Sequence, residues 1–121
     1  MIVDGANVVG SRLDGWWRDR AGAAQRLHDH LSATDLAGHD EVVLVLEGEA
    51  RRGHRAGQEG HVRTVHATRS GDDAIVDEVN SQVALGDGRG VTVVTADRAL
   101  RDRVETAGAS SRSPRWLLDQ L

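Results

Sequence analysis

The segment Val42–Leu46 constrains the fold of this chain more than any other, because every one of its residues is aliphatic. A strand with one solvated face alternates apolar and polar side chains, whereas a strand covered on both faces is apolar throughout. The run is short for a helix and ends at Glu47-Gly48, where the apolar pattern stops. It therefore predicts a central strand of a parallel sheet with helices on both faces.

The rest of the chain alternates strand and helix patterns around that strand. Further strands are predicted at 1–3, 62–67 and 91–95. Helices are predicted at 19–34, 98–107 and 115–120, and another opens at Ser70-Gly71-Asp72-Asp73 with an apolar face at Ile75, Val76, Val79 and Val83. The segments 7–15, 49–60, 86–90 and 110–113 are expected to be loops or turns. This order predicts a single domain over 1–121: a three-layer α/β/α fold with a mostly parallel sheet of four to five strands.

Composition excludes several classes of function. The 121 residues contain no Cys, which rules out disulfides and thiolate metal sites. They also contain no Lys, so a Walker-type phosphate loop and a Schiff-base enzyme are both excluded. The first residues lack the basic and apolar pattern of a signal peptide, and no apolar run is long enough to span a bilayer, so we expect a cytoplasmic protein without a signal peptide or membrane association. The net charge is −4, and a nucleic-acid binder would therefore need a local Arg patch.

Acidic residues follow each of the four predicted strands. They are Asp4, Glu47, the pair Asp72 and Asp73, and Asp97. A single acid in such a place is more often a helix cap than a ligand. Four successive strands that deliver acid to one sheet edge are harder to explain as caps, and that edge is where open α/β sheets bind ligands. The pattern therefore predicts a shared carboxylate site.

Clustered carboxylates predict a hard divalent cation. Their charges repel one another and raise one or more pKa values, and a bound cation removes that cost. Oxygen ligands favour Mg²⁺ or Mn²⁺. Zinc is disfavoured by the lack of Cys, and the six His residues form no H-E-x-x-H pattern. On a helix, His28 and His30 face away from each other.

Three motifs carry a family resemblance. Asp4-Gly5-Ala6-Asn7 ends the first strand, Ser70-Gly71-Asp72-Asp73 opens a helix, and Thr95-Ala96-Asp97 ends the fourth strand. In this order and strand context they resemble the NYN group of PIN-like nuclease domains, and most closely its bacterial YacP-like branch of small ribonucleases. The resemblance spans nearly the whole chain.

The resemblance implies an endoribonuclease that depends on Mg²⁺ or Mn²⁺. Asp4, Asp72 or Asp73, and Asp97 would be its metal ligands, and Asn7 would orient Asp4 or contact the scissile phosphate. Glu47 is an additional candidate ligand, since related nucleases often carry an acid at the end of the second strand. Some family members also have an acid four residues after the fourth-strand aspartate. That position is Arg101 here and the neighbouring acid is Asp102, so Asp102 is set aside, and Asp19 is interpreted as a helix cap.

Tryptophan and arginine residues near these acids are candidates for RNA binding. In Asp14-Gly15-Trp16-Trp17-Arg18-Asp19-Arg20, Trp16 and Trp17 could stack on bases while Arg18 and Arg20 meet phosphates. Packing of one Trp against the sheet edge is an equal alternative. A second basic group could attract RNA or could be an ordinary solvated loop. Its members are Arg51, Arg52, Arg55, Arg63 and Arg69.

Three classes of function remain open. The first is metal-dependent cleavage of single-stranded RNA by an activated water, which needs no protein nucleophile. The second is a phosphohydrolase that acts on nucleotides or other small phosphates. The third is a non-catalytic module that binds RNA or the ribosome. The expected partner is single-stranded RNA, with ribosome association and homodimerisation left open.

Overall fold

A computed structural model describes residues 1–12, 15–36, 38–86 and 90–121. Within these ranges the strands are β1 Ile2–Asp4, β2 Val42–Leu46, β3 Gly57–Glu59, β4 Val62–His66, β5 Thr92–Val94 and β6 Ser110–Arg112. The helices are α1 Gly5–Gly10, α2 Arg20–Ala33, α3 Gly71–Leu85, α4 Arg98–Thr106 and α5 Pro114–Leu118, with 3₁₀ turns at Trp16–Arg18 and Gly48–Gly53. Asp14 and most of the predicted turn at 86–90 lie outside the described residues.

The strands form one six-stranded sheet in the order β3-β4-β2-β1-β5-β6. Neighbouring strands are parallel except β3 and β4, which pair antiparallel at one edge. All five residues of β2 are buried, and the strand lies between β1 and β4. The continuous aliphatic run is therefore a central parallel strand, as predicted.

Two hydrophobic cores cover the two faces of the sheet. Alternate strand residues point to opposite faces, so Val3 and Leu44 join α1, α2 and α5 in one core. Ile2 and Val43 point the other way and pack with α3 and α4. The three-layer α/β/α architecture is confirmed, and the described residues form six strands where four to five were expected.

The helix signals were also accurate. Asp19 caps α2, since its side chain accepts a hydrogen bond from the Gly22 amide at 2.9 Å. Ser70 caps α3 and accepts from the Asp73 amide, as a Ser at this position does in many helices. Trp116, which is part of α5, packs against the core. None of the helices in the described part of the chain has the length and apolarity that a membrane span requires.

Three segments expected to be loops are regular structure. The first half of 7–15 lies in α1. This helix was missed because it follows β1 with no intervening loop: Asp4 is both the last residue of the strand and the cap of the helix. Within 49–60, the turn Gly48–Gly53 and strand β3 replace the expected loop. Gly53 allows that turn to lie against α2, because a Cβ there would meet the backbone oxygen of Ala21.

The third correction is β6, which was expected to be a polar loop. Its sequence Ser110-Ser111-Arg112 has no apolar pattern. As an edge strand it still gains backbone pairing: Ser110 N–H donates to the Val91 carbonyl at 2.8 Å, and Thr95 N–H donates to the Arg112 carbonyl at 3.0 Å. Pairing with β5 therefore makes this segment a strand, and the β-propensity of its own residues does not predict it.

Candidate active site

Asp4 is the centre of an acidic site at the carboxyl end of β1. Its side chain is only 4% exposed. One carboxylate oxygen accepts hydrogen bonds from Asn7 Nδ2 at 3.0 Å and from Thr95 Oγ1 at 2.8 Å, while the other accepts from the Asn7 amide. Asp4 is therefore both the cap of α1 and a carboxylate held in one orientation by three donors.

Gly5 explains why a glycine follows this aspartate. A Cβ at this position would lie 2.7 Å from the Val45 carbonyl oxygen and 3.0 Å from Leu46 Cδ2. Only Gly lets α1 begin directly against the neighbouring strand β2. The Asp-Gly pair thus turns the chain at the sheet edge and keeps the Asp4 carboxylate there.

Thr95 connects Asp4 to Asp97 and was missed as a functional residue. It is fully buried, donates its hydroxyl to Asp4, and accepts a hydrogen bond from the Asp97 amide at 3.1 Å. Asp97 in turn caps α4 by accepting from the Leu100 amide. The available signal was the Thr-x-Asp motif, in which the Thr ends the strand run and lies two residues before the acid.

Asn7 lies between the same elements. Its Nδ2 donates to Asp4, and its Oδ1 accepts from the Ala96 amide at 3.2 Å. The side chain therefore bridges the end of β1 and the loop that precedes α4. This is the geometry of a positioning residue, which fixes Asp4 relative to Asp97.

Glu47 and Asp72 complete the group from the other side. Glu47 follows β2, and its carboxylate accepts from the Gly71 amide at 2.7 Å, at the N-terminus of α3. A Cβ on Gly71 would lie 3.2 Å from that carboxylate, so glycine is what allows the close approach. Asp72 is the next residue of α3 and is half-buried at the same edge.

The electrostatics show that these acids share one environment. Burial raises the pKa of Asp72, and the negative charges of Asp97 and Glu47 raise it further. Burial also raises the pKa of Asp4, against hydrogen bonds from Thr95 and Asn7 that lower it, and the Asp72 charge adds to the increase. We call Asp4, Glu47, Asp72 and Asp97 the carboxylate edge. Their mutual repulsion is the condition that a bound cation relieves, and their donors are all oxygen, so the residues fit Mg²⁺ or Mn²⁺.

Two other acids near this group are exposed to solvent. Asp73 is exposed and pairs with Arg103 at 3.0 Å, on the outer side of α3 and α4. Asp102 is exposed on α4, one residue before Arg103. Of the alternatives Asp72 and Asp73, the structure thus places Asp72 with the carboxylate edge.

A cavity of about 360 Å³ opens beside the carboxylate edge, between α1, α2 and the end of β2. Trp16, Arg20 and Arg69 line it together with Glu47 and small apolar side chains. Trp16 is half-buried, and the Arg20 guanidinium lies 5.4 Å from its ring centroid. Trp17 is 55% exposed and has Arg18 at 5.8 Å from its ring. One Trp of the pair therefore lines a cavity and the other faces solvent.

The second basic group is distributed around the 3₁₀ turn Gly48–Gly53 and the outer strands. Arg51 donates to the Gly48 carbonyl at 3.1 Å, Arg52 lies 3.7 Å from Glu49, and Arg55 pairs with Glu59 at 3.0 Å. Arg63 pairs with Glu78. Arg69 alone of this group reaches the cavity beside the carboxylate edge.

Comparisons with known proteins agree with this architecture. The family model of the YacP-like NYN domain matches residues 1–121. Two solved structures of Rae1 (YacP) from Bacillus subtilis are similar, one of the unmodified protein at a TM-score of 0.66 and one of its W164L mutant at 0.61. Each is 21% identical and aligns with 98% of this chain, and with 70% and 71% of its own length respectively. No curated protein matches.

Proposed function

Because this chain belongs to the YacP-like NYN domain family, a ribonuclease-type nuclease family, we propose that it is an endoribonuclease that cleaves single-stranded RNA with the help of Mg²⁺ or Mn²⁺. The observation that carries the proposal is the carboxylate edge. Four acids from four separate elements meet where the parallel strands end, burial raises the pKa of both Asp4 and Asp72, and the charges of neighbouring acids raise these two pKa values further. A purely structural role would not require that cost.

Asp4, Asp72 and Asp97 are the proposed ligands of the cation, and Glu47 is an additional candidate. Asp73, the alternative to Asp72 in the sequence, lies on the outer side of α3. A cation held there would supply Lewis-acid activation of the scissile phosphate and of a water molecule. Asn7 and Thr95 hold Asp4 through hydrogen bonds of 3.0 and 2.8 Å, so its carboxylate needs no reorientation. Asp72 is half-buried at the same edge, where its carboxylate could accept a proton from the attacking water.

The substrate side of the proposal rests on the cavity beside the carboxylate edge. Trp16 offers an aromatic wall for one unstacked base, and Arg20 and Arg69 lie where they can contact the adjoining phosphates. Trp17 and Arg18 are exposed next to the same opening. Arg51, Arg52 and Arg55 lie along the segment after β2, where they could contact the RNA backbone once Arg52 and Arg55 release Glu49 and Glu59.

This arrangement favours RNA over free nucleotides as the substrate. The cavity is open and continues into an exposed Trp and Arg surface, which suits a chain passing through. A phosphohydrolase for small phosphates would require an enclosed pocket with its own base-recognition groups. Binding without catalysis would leave the unpaired acids unexplained.

The decisive test replaces two of the acids without changing their size. The double variant Asp4→Asn/Asp97→Asn should reduce Mn²⁺-dependent cleavage of a labelled single-stranded RNA by about 10³-fold or more, since the ligands of the cation are lost. Circular dichroism should show that the fold persists. The matched control is Asp102→Asn, an exposed acid on α4 that should retain full activity.

Undiminished cleavage by the purified double variant would refute the proposed site. Rapid hydrolysis of free nucleotides without cleavage of RNA would identify the protein as a phosphohydrolase instead. A wild-type protein that binds RNA but cleaves neither substrate in either metal would establish the non-catalytic alternative.

A further inference from the structure

A second group of metal-ligating side chains lies away from the carboxylate edge, and nothing in the proposed nuclease function uses it. It consists of His28 on α2, His54 after the 3₁₀ turn Gly48–Gly53, and Glu59 on β3. We call these three residues the histidine cluster. Each offers one ligand atom, and the three atoms lie within 4.8 Å of one another.

The two imidazoles converge on a single carboxylate oxygen. Glu59 Oε2 lies 2.9 Å from His54 Nε2 and 3.7 Å from His28 Nε2. The ligands of a tetrahedral zinc ion, at metal–ligand distances near 2.1 Å, lie about 3.4 Å apart. The two observed separations fall on either side of that value. The rings stack with centroids 3.5 Å apart at 16°, so a modest opening of the stack would let both nitrogens face one ion.

The environment of His28 provides an independent indication of a ligand at this site. Its side chain is only 5% exposed, yet its Nε2 has no hydrogen-bond partner. A buried polar atom of this kind normally has one. The orphaned nitrogen is the one that faces Glu59, which is where a metal ion would sit.

In both rings, Nδ1 already lies near a hydrogen-bond partner, which leaves Nε2 available to bind a metal. His54 Nδ1 lies 3.0 Å from Gln25 Oε1, and His28 Nδ1 lies 3.4 Å from Ser32 Oγ. Metal-binding histidines usually donate their second ring N–H to such an acceptor, which fixes the tautomer and leaves the other nitrogen free to coordinate. Gln25 is itself held by Asp29 through a hydrogen bond of 2.8 Å.

From this arrangement we propose that His28, His54 and Glu59 form a Zn²⁺ site that joins α2 to the segment between β2 and β4. Two imidazoles and one carboxylate are a known zinc ligand set, with a fourth position left to water. The imidazole nitrogens favour Zn²⁺ over the hard cations expected at the carboxylate edge. The ion would tie the Gly48–Gly53 turn, which carries Arg51 and Arg52, to the helix that carries Arg20.

The test uses the full chain after metal removal, with Zn²⁺ alone as the probe. To separate this site from the carboxylate edge, the Asp4→Asn/Asp97→Asn variant serves as the background. Zn²⁺ should bind it with a stoichiometry of one and raise its melting temperature. Adding His54→Ala should weaken the measured affinity by about tenfold or more. Adding His30→Ala, which changes an exposed His of the same helix, should leave the affinity unchanged.

A second measurement keeps the proposal testable if His54→Ala fails to fold. In the folded background variant, long-range ¹H–¹⁵N spectra of the imidazoles should show the Nε2 resonances of His28 and His54 shifting on addition of Zn²⁺, while that of His30 stays in place. Equal affinity with and without His54→Ala would overturn the proposal. Unchanged Nε2 resonances in the presence of bound Zn²⁺ would overturn it as well, and neither result would touch the proposed nuclease site.

Discussion

The carboxylate edge and the histidine cluster both gather metal-ligating side chains, but they hold their charges in opposite ways. At the carboxylate edge, burial and the charges of Asp97 and Glu47 raise the pKa of Asp72. At the histidine cluster, the hydrogen bond from Arg55 lowers the pKa of Glu59, and His54 lowers it further. One region therefore carries electrostatic cost in the folded protein, and the other carries compensated charge.

The difference separates two reasons for a protein to bind metal. Folding has assembled the carboxylate edge despite repulsion, and the proposed cation would neutralise these charges. At the histidine cluster, Glu59 accepts hydrogen bonds from Arg55 and His54, and an ion there would add a link between elements that already touch. A metal should consequently control activity at the first region and stability at the second.

The largest expected effect lies within the pair Asp72 and Asp73, which the sequence could not separate. Asp72→Asn should reduce Mn²⁺-dependent RNA cleavage by about 10²-fold or more, because a ligand and proton acceptor is lost. Asp73→Asn should change the rate by less than about threefold, since its side chain pairs with Arg103 outside the site. Steady-state cleavage of a labelled RNA measures both. Equal losses of activity in the two variants would mean that Asp73 also belongs to the carboxylate edge.

The next largest effect is expected on RNA affinity, from the cavity beside the carboxylate edge. Trp16→Ala should weaken binding of single-stranded RNA by about 5- to 100-fold, the usual range for one base–aromatic stack. Trp17→Ala should have a smaller effect, because that ring is exposed outside the cavity wall. Fluorescence anisotropy with a non-cleavable RNA and Mg²⁺ would measure the affinities.

The control for the tryptophan variants is Leu85→Ala, which removes an exposed apolar side chain from the end of α3. It should leave the RNA affinity unchanged. If Trp16→Ala binds RNA as tightly as the wild type, the ring has a packing role only, which was the alternative interpretation of the sequence.

Protonation offers a third contrast. The pKa values of Asp4 and Asp72 are raised in the folded protein, so the native state binds protons before the unfolded chain does. Without metal, their contribution to the free energy of unfolding should become more favourable as the pH falls from neutral toward about 4. Protons and cations compete for the same oxygens, so the increase in melting temperature caused by Mg²⁺ should shrink over that range.

Thermal melts with and without millimolar Mg²⁺, from about pH 7.5 to about pH 5, would measure this dependence. The Asp4→Asn/Asp72→Asn variant should show neither the Mg²⁺ effect nor its change with pH. A Mg²⁺ effect that persists in the variant would locate the cation elsewhere in the molecule.

The sequence predicted those features that depend on local pattern. The aliphatic run Val42–Leu46 specified a buried parallel strand, and acids at four strand ends specified one shared edge because parallel strands end together. Thr95 was noted as part of a motif, but its role escaped prediction since it depends on a hydrogen bond to Asp4 across neighbouring strands. Strand β6 escaped for the same reason, as its pairing comes from β5.

The histidine cluster could not be predicted from residue spacing at all. His28 belongs to a helix and His54 to the segment after a 3₁₀ turn, and they meet only because Gly53 lets that turn lie against α2. Neither residue belongs to a short metal-binding motif such as H-E-x-x-H. What brings them together is tertiary packing, which a pattern of residue types does not encode.

The smallest expected effect is also the most direct test of the contrast in charge, because it replaces one acid in each region by its neutral isostere. Without metal, Asp72→Asn should raise the melting temperature by about 2–4 °C, since the ionised carboxylate opposes folding at neutral pH. Glu59→Gln should lower it, since the ionised Glu59 contributes to stability through Arg55 and His54. Calorimetry at neutral pH with a chelator present measures both shifts. If the two variants move in the same direction, the two regions do not differ in the balance of their charges, and the need for a cation at the carboxylate edge loses its electrostatic basis.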